Sequence, residues 1–130
     1  MVIDKRLLDD LTAQAKVSPR LRMNLDLRNS DGDSSQRMLN AIEPGSMVPI
    51  HRHQRTSETV VVLRGRVVEE YYSSEGVVEA SYELAAGGLV CALNIPAGQW
   101  HTLRALDPGT VILEMKDGPY EPVRECDVLR

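Results

Sequence analysis

The stretch that decides the fold is residues 45–65, GSMVPIHRHQRTSETVVVLRG. Two histidines, His51 and His53, are separated by one residue, and Glu58 follows five positions after the second. The chain has only three histidines, and the third, His101, follows a separate glycine-containing turn. Imidazole nitrogens and carboxylate oxygens are common ligands of divalent transition metals. The gathering of every histidine around one motif predicts a metal site.

The spacing of these residues is compatible with a single ion. Side chains two positions apart point to the same face of a strand, so His51 and His53 can reach one metal together. Pro49 keeps the approach extended, and a short polar connection lets Glu58 return to the site. Three imidazoles and one carboxylate leave one or two coordination positions open, which is typical of catalytic rather than structural sites. The identity of the divalent metal, whether Zn, Fe, Mn, Ni or Co, stays open.

The bulk properties predict a single domain over residues 1–130 and exclude two classes of partner. The formal net charge is −4 and the isoelectric point about 5.3, which argues against a nucleic-acid partner. No apolar run approaches the roughly 20 residues that cross a bilayer, so we expect no membrane partner. The first residues lack the order of a signal peptide, and we expect a cytoplasmic protein.

Periodicity predicts a mainly β protein with a short N-terminal helix. Apolar residues recur at helical spacing over residues 4–17, within an arm that spans 1–28. We expect this helix to cover an outer face of the domain or to form a dimer contact. Residues 37–116 read as short strands between Gly, Pro and Ser turns, which favours a sandwich or barrel, and 117–130 read as an extended tail. The predicted strands are Arg37–Ile42, Met47–His53, Thr59–Arg64, Val67–Tyr72, Val77–Leu84, Val90–Ile95, His101–Leu106 and Val111–Met115.

The motifs resemble those of the cupin superfamily. The matching patterns are Gly45-x5-His51-x-His53-x4-Glu58-x6-Gly65 and Pro96-x-Gly98-x2-His101. Two positions of the second motif differ, because Ala105 stands where the family has asparagine and Val90 where it has glycine. The resemblance implies a double-stranded β-helix, or jelly-roll barrel, in which His51, His53, Glu58 and His101 hold one divalent metal.

The flanking segments narrow the resemblance. Residues 39–45, 95–102 and 118–122, behind an N-terminal helix, are similar to the WbuC-type cupin-fold metalloproteins of bacteria. Members of that family are associated with surface-polysaccharide gene clusters. Cupins commonly form dimers, so the resemblance also implies a homodimer that binds a small molecule.

Alternation along the strands predicts which residues line the pocket. Counting from Glu58 and from His101, we expect an interior that is mainly aliphatic, formed by Val60, Val62, Leu103 and Ala105, with Arg64 at one strand end. Arg64 could anchor an anionic substrate or lie in solvent, and Asn40 could contact substrate or bond a neighbouring backbone. The candidate pocket residues are Asn40, Arg64, Trp100 and Tyr71. We expect Cys91 to be a small buried apolar residue.

Several functions fit this pattern. The first is a metal-dependent enzyme on a small polar substrate such as a sugar or nucleotide-sugar, of the isomerase or epimerase type, and a small-molecule dioxygenase is an alternative. The second is a non-catalytic sugar- or carboxylate-binding sensor module, which the scarcity of acid–base residues near the ligands favours. A purely structural metal is the weakest reading, because a barrel of this length should not need one. No catalytic residue is predicted.

Overall fold

The computed structural model describes all residues 1–130, and they form one α-helix, eight strands and a 3₁₀ turn. The helix α1 spans Lys5–Val17. The strands are β1 (Arg22–Asp26), β2 (Ser35–Ile42), β3 (Glu58–Arg64), β4 (Arg66–Tyr72), β5 (Val78–Ala85), β6 (Ala92–Ile95), β7 (Trp100–Ala105) and β8 (Thr110–Asp117), and the 3₁₀ turn is Glu125–Asp127.

The strands form two antiparallel sheets. The larger has the order β1-β2-β8-β3-β6 and the smaller has the order β5-β4-β7. Their inner faces enclose a core to which both sheets contribute: Ile42, Val60, Val62, Val67, Leu84, Ile95, Leu103, Ala105 and Ile112. This arrangement confirms the predicted mainly β barrel, and it confirms that the alternating residues of β3 and β7 face inward as far as Val62 and Ala105.

The helix covers the outer face of the larger sheet. The Asp4 side chain caps it by accepting a hydrogen bond from the Leu7 amide at 3.0 Å. Leu11 and Ala15 are buried against a second apolar cluster on the outward face of the larger sheet, with Leu39, Ala41 and Val111. Of the two roles expected for the helix, the structure shows the covering of a face of its own chain.

The predicted strand Met47–His53 is wrong. The segment is irregular, and only His51 within it makes β-bridges, to His101 and to Val128. Pro49 has no N–H to donate to a ladder, which prevents regular pairing at the centre of the segment. The C-terminal tail pairs with it instead: the Leu129 amide donates to the Ile50 carbonyl at 2.8 Å.

Two further differences concern short elements. Strand β1 was not predicted, because its sequence, RMNLD, is largely polar and it lies at a sheet edge. The prediction that Cys91 is buried is wrong, because β6 begins only at Ala92 and Cys91 is exposed in the loop before it. None of the helices has the length and apolarity needed to cross a membrane.

Candidate metal centre

Four side chains converge at one end of the barrel. His51 and His101 lie on adjacent segments that exchange both backbone hydrogen bonds, at 3.0 and 2.8 Å. The carbonyl of His53 accepts a hydrogen bond from the Gly98 amide at 2.7 Å, which ties the two motifs together. Glu58 begins β3. Candidate ligand atoms of His51, His53, Glu58 and His101 all lie within 4.8 Å of one another.

Two of the imidazoles are oriented by backbone carbonyls. Nδ1 of His51 lies 2.8 Å from the Pro49 carbonyl oxygen, and Nδ1 of His101 lies 2.8 Å from that of Gln99. A carbonyl can only accept, so each Nδ1 carries the hydrogen and each Nε2 keeps a free lone pair. Metal-binding histidines are commonly oriented by such a hydrogen bond from the second ring nitrogen.

The candidate ligand atoms of Glu58 and His53 are also placed to bind an ion. Oε2 of Glu58 lies 3.2 Å from Nε2 of His53 and 3.3 Å from Nε2 of His101. Nevertheless the buried Glu58 Oε2 and His53 Nε2 have no hydrogen-bond partner of suitable geometry. Buried polar atoms are nearly always partnered in proteins, so lone pairs that converge without partners fit a shared cation.

The protonation states suit metal binding as well. Burial, with a smaller contribution from His101, lowers the pKa of His51 to about 4, so this imidazole is neutral at physiological pH. Burial acts to raise the pKa of Glu58, but the contacts with His101 and His53 outweigh it and hold that pKa well below its ordinary value. A neutral imidazole beside an ionised carboxylate is the form in which both residues bind a cation.

The barrel interior also contains two acids that sequence reasoning missed. Glu69 is completely buried, and neither carboxyl oxygen has a hydrogen-bond partner. Burial, with the nearby charges of Glu58 and Glu114, raises its pKa to about 9. Glu114 is half-buried, and burial together with the negative charge of Glu58 raises its pKa. The expectation of a mainly aliphatic interior is therefore wrong near the metal centre.

A signal for these acids was present in the sequence. Val67 and Ile112 belong to the inward-facing core. Counting by twos from Val67 along β4 reaches Glu69, and the same count from Ile112 along β8 reaches Glu114 and then Lys116. Counting only from the metal-binding motif residues does not reach these acids.

Two of the predicted pocket residues contact the interior. Asn40 donates a hydrogen bond from Nδ2 to Glu114 Oε1 at 3.0 Å, while its Oδ1 is buried without a partner. Tyr71 packs against the barrel core and meets Tyr82 edge-to-face, with ring centroids 5.3 Å apart. Trp100 precedes the inward His101 on β7, and its ring stacks against the Arg52 guanidinium, 4.5 Å from the centroid.

The prediction that Arg64 faces the interior is wrong. The pairing of β3 with β8 shifts by one residue between Val62 and Arg64, so the alternation is lost there. The Arg64 guanidinium instead donates to the Gly109 carbonyl at 2.7 Å and to the Thr12 hydroxyl at 2.9 Å. It also pairs with Asp9 of the helix at 2.6 Å. Arg64 therefore joins the helix to the barrel.

A polar cleft of about 390 Å³ opens beside the metal centre. His53 is part of its wall, so the cleft reaches one of the four clustered residues. The other walls are the 52–56 loop, the end of β8 and the tail that follows it. A second cavity of about 330 Å³ is lined by Glu114 and Lys116.

Comparison with known proteins supports the fold. A family model described as a domain of unknown function, DUF6016, matches residues 3–84, which is well over half of the chain. The chain belongs to the DUF6016 family. A search of curated proteins gives no match for this DUF6016 sequence.

Solved structures similar to this DUF6016 protein are cupins. KdgF from Halomonas sp. is 16% identical, with a TM-score of 0.63 over 80% of this chain and 85% of that one. Oxalate oxidase bound to the substrate analogue glycolate is 16% identical, with a TM-score of 0.64 over 84% of this chain and 57% of that one. The capsular polysaccharide assembling protein CapF from Staphylococcus aureus is 18% identical, with a TM-score of 0.60 over 77% and 30%. The protein has the cupin fold, and its His-His-Glu-His group fits a metal-binding cupin.

Proposed function

We propose that this protein is a metal-dependent enzyme that transfers a proton on a small polar substrate. The substrate class is a sugar or nucleotide-sugar of bacterial surface-polysaccharide metabolism, and the reaction is of the isomerase or epimerase type. The observation that carries the proposal is the unpartnered, buried Glu69 in the same barrel interior as the four clustered residues.

The four clustered side chains would hold one divalent metal. His51 and His101 offer Nε2, because their Nδ1 atoms are engaged by carbonyls, and Glu58 offers the unpartnered Oε2. When bound, such an ion supplies Lewis-acid stabilisation to a substrate carbonyl or hydroxyl oxygen. The set differs from a closed structural site because it leaves coordination positions for substrate.

Glu69 supplies a proton-transferring group. Its raised pKa keeps the carboxyl protonated at neutral pH, so it can donate a proton to a substrate and later take one back. An orphaned acid in a core costs stability on the order of 1–3 kcal/mol, and strongly perturbed acids cluster at functional sites. Glu114, held by Asn40, is a second acid in the same interior.

These two acids also argue against the alternative function, a non-catalytic binding module. A lack of acid–base residues near the cluster would favour a non-catalytic sugar-binding module, but Glu69 and Glu114 are acids in the same interior. Similarity of fold to a capsular polysaccharide assembling protein agrees with the proposed substrate class. That similarity is at 18% identity and covers 30% of that longer chain.

The test combines metal analysis with isotope exchange. Untagged protein should carry about one divalent metal per chain. In D₂O it should exchange a carbon-bound hydrogen of at least one member of a panel of UDP- and dTDP-sugars, as followed by NMR. His51→Ala should lose both the metal and the exchange. Glu69→Gln should keep the metal and lose the exchange, while Cys91→Ser, a change at an exposed residue, should alter neither.

Two outcomes would reject the proposal. Absence of stoichiometric metal, both as purified and after metal addition, would remove the metal-dependent part. A metal-loaded protein that binds a sugar of the panel without any exchange would instead be a binding module.

A further inference from the structure

The polar cleft beside the metal centre contains an unusual lysine. Lys116 lies on β8 directly across from Glu58, and the inward-facing Glu114 precedes it by two residues. It is half-buried, and its ammonium group forms neither a hydrogen bond nor an ion pair. Removing an ammonium group from water without a partner is costly, so a half-buried free lysine needs a reason.

None of the neighbouring carboxylates forms an ion pair with the Lys116 ammonium group. Lys116 pairs across the sheet with Glu58, so it lies next to the metal centre, yet no carboxylate oxygen lies within ion-pair distance of its ammonium group. Lys116 and Gln36 line both the 390 Å³ cleft and the 330 Å³ cavity. The ammonium group therefore stands where the two spaces meet, beside Glu58.

The other charged groups of the cleft are either paired or exposed. Arg52 is engaged by Asp127 at 2.9 Å, and Gln54 also donates to that carboxylate at 2.6 Å. Three cations are left without an ion pair, and two unpaired carboxylates accompany them at exposed positions. The cations are Lys116, Arg55 and Arg124, and the carboxylates are Asp117 and Glu121. Among these five only Lys116 is partly withdrawn from solvent, so it is the one whose charge water screens least.

We propose that this cleft binds the anionic group of the substrate, a carboxylate or a phosphate, with Lys116 as its charged anchor. Arg55 and Arg124 add positive potential at the exposed mouth. An anion held there lies beside His53, so the rest of the same molecule reaches the four clustered residues. The inference rests on the proposed function in taking that cluster as the reacting site, and it narrows the substrate class to anionic molecules.

The test uses three probes that share a hexose ring and differ in charge: glucose, glucuronate and glucose 6-phosphate. Calorimetry on metal-loaded protein should show binding of at least one anionic probe and weaker or no binding of glucose. Lys116→Met should reduce the affinity for the anionic probe by about tenfold to a hundredfold, as expected for the loss of a charge-assisted hydrogen bond. Lys116→Arg should restore most of the affinity. Lys16→Met, the same change at an exposed helix position, should have no effect.

The two anionic probes separate the possible ligand groups. Preference for glucuronate indicates a carboxylate site, and preference for glucose 6-phosphate indicates a phosphate site. If neither anionic probe binds at millimolar concentration, if glucose binds as tightly, or if Lys116→Met leaves affinity unchanged, the cleft proposal is overturned.

Repeating the binding measurements on chelator-treated protein distinguishes failure of the anion-site proposal from failure of the proposed enzymatic function. Lys116-dependent binding that persists in metal-free protein supports the cleft but not a metal-dependent reaction. Metal-loaded protein that exchanges substrate hydrogen without any preference for anions supports the enzyme and rejects the anion site.

Discussion

At the scale of single residues, Glu69 is a group whose ionisation is strongly changed by the fold. An ordinary glutamate ionises near pH 4.5, whereas burial raises the pKa of Glu69 to about 9. The folded protein therefore holds a proton here that the unfolded chain releases above pH 4.5. Stability from this group is fully present below pH 4.5 and is lost progressively as pH rises towards 9.

Glu69→Gln should remove that pH dependence. The free energy of unfolding of the wild type should fall relative to the variant by up to about 1.4 kcal/mol per pH unit between pH 5.5 and 8. Urea unfolding of chelator-treated protein at both pH values measures the difference. Because His51 has a lowered pKa and contributes with the opposite sign in both proteins, only the comparison isolates Glu69. Parallel pH profiles for the two proteins would show that Glu69 is ionised in the fold.

Gly65 occupies a backbone position that only glycine fits without strain. Its φ is +81°, and a Cβ built there would overlap the Thr110 hydroxyl and lie 3.0 Å from the Thr110 Cα. Left-handed strain and a clash with backbone act together. Gly65→Ala should therefore reduce the free energy of unfolding by about 2 kcal/mol or more.

Gly87→Ala is the matched control. Gly87 also has a positive φ, +69°, but a Cβ there would meet nothing within 4 Å. We therefore expect Gly87→Ala to reduce the free energy of unfolding by only the cost of the left-handed backbone, about 1 kcal/mol. Chemical denaturation measures this change. Equal losses for the two variants would show that the contact with Thr110 contributes nothing.

At the scale of elements, the attachment of α1 to the barrel rests on apolar contacts and on Arg64. Leu11 and Ala15 bury the helix stripe, and the Arg64 guanidinium bonds Thr12 of the helix and the carbonyl of Gly109 in the β7–β8 turn. The irregularity in β3 is what aims Arg64 at the helix rather than into the barrel. A one-residue shift thus turns a predicted pocket residue into a structural link.

Arg64→Met should loosen this link without affecting the metal centre. Loss of two part-buried hydrogen bonds should cost about 1–2 kcal/mol of stability, with unchanged metal content. Arg66→Met is the control, since Arg66 pairs with Asp107 at an exposed position, and exposed pairs contribute little. Thermal unfolding and metal analysis of both variants test this, and loss of metal from Arg64→Met would contradict the assigned role.

At the scale of the whole molecule, the four clustered residues come from distant parts of the chain, so an ion bound to them would favour the folded state. With free metal at about 100 times its dissociation constant, linkage predicts that the free energy of unfolding rises by about 2.7 kcal/mol. For a chain of this size the melting temperature should rise by on the order of 10 °C.

Thermal unfolding at pH 7.5 with and without chelator measures this effect. His53→Ala should melt at the same temperature in both conditions, because its set of donors is incomplete. A wild-type melting temperature that does not respond to chelator would show that no ion stabilises the fold.

A homodimer remains our prediction for the assembly. The apolar stripe of α1 is buried against its own sheet, so that stripe is not free for a dimer contact. Large apolar side chains are fully or half exposed at Leu89 and Val78. Light scattering coupled to size-exclusion chromatography should give twice the 14.5 kDa chain mass, and a mass of one chain at 100 µM, on the order of a weak dimer's dissociation constant, would contradict it.

The sequence by itself determined the features that depend on local spacing. Helical periodicity predicted α1, and the resemblance of the glycine-framed histidine motifs to those of the cupin superfamily predicted both the barrel and the convergence of His51, His53, Glu58 and His101. The helix follows from short-range geometry, which a linear pattern records directly, whereas the convergence of the four distant side chains follows from the resemblance of their motifs to a known family.

Only the tertiary structure decided what depends on contacts between distant segments. Pairing of the tail with the His51 segment, the register shift before Arg64, the burial of Glu69 and the free Lys116 in the cleft arise where separate strands meet. Alternation alone assigns a face to a side chain, but the desolvation that makes Glu69 an acid at neutral pH comes from the opposing sheet. Most of that sheet, including β8 with Glu114, is distant from Glu69 in sequence, and so the chemistry beside the motif became visible only in the folded barrel.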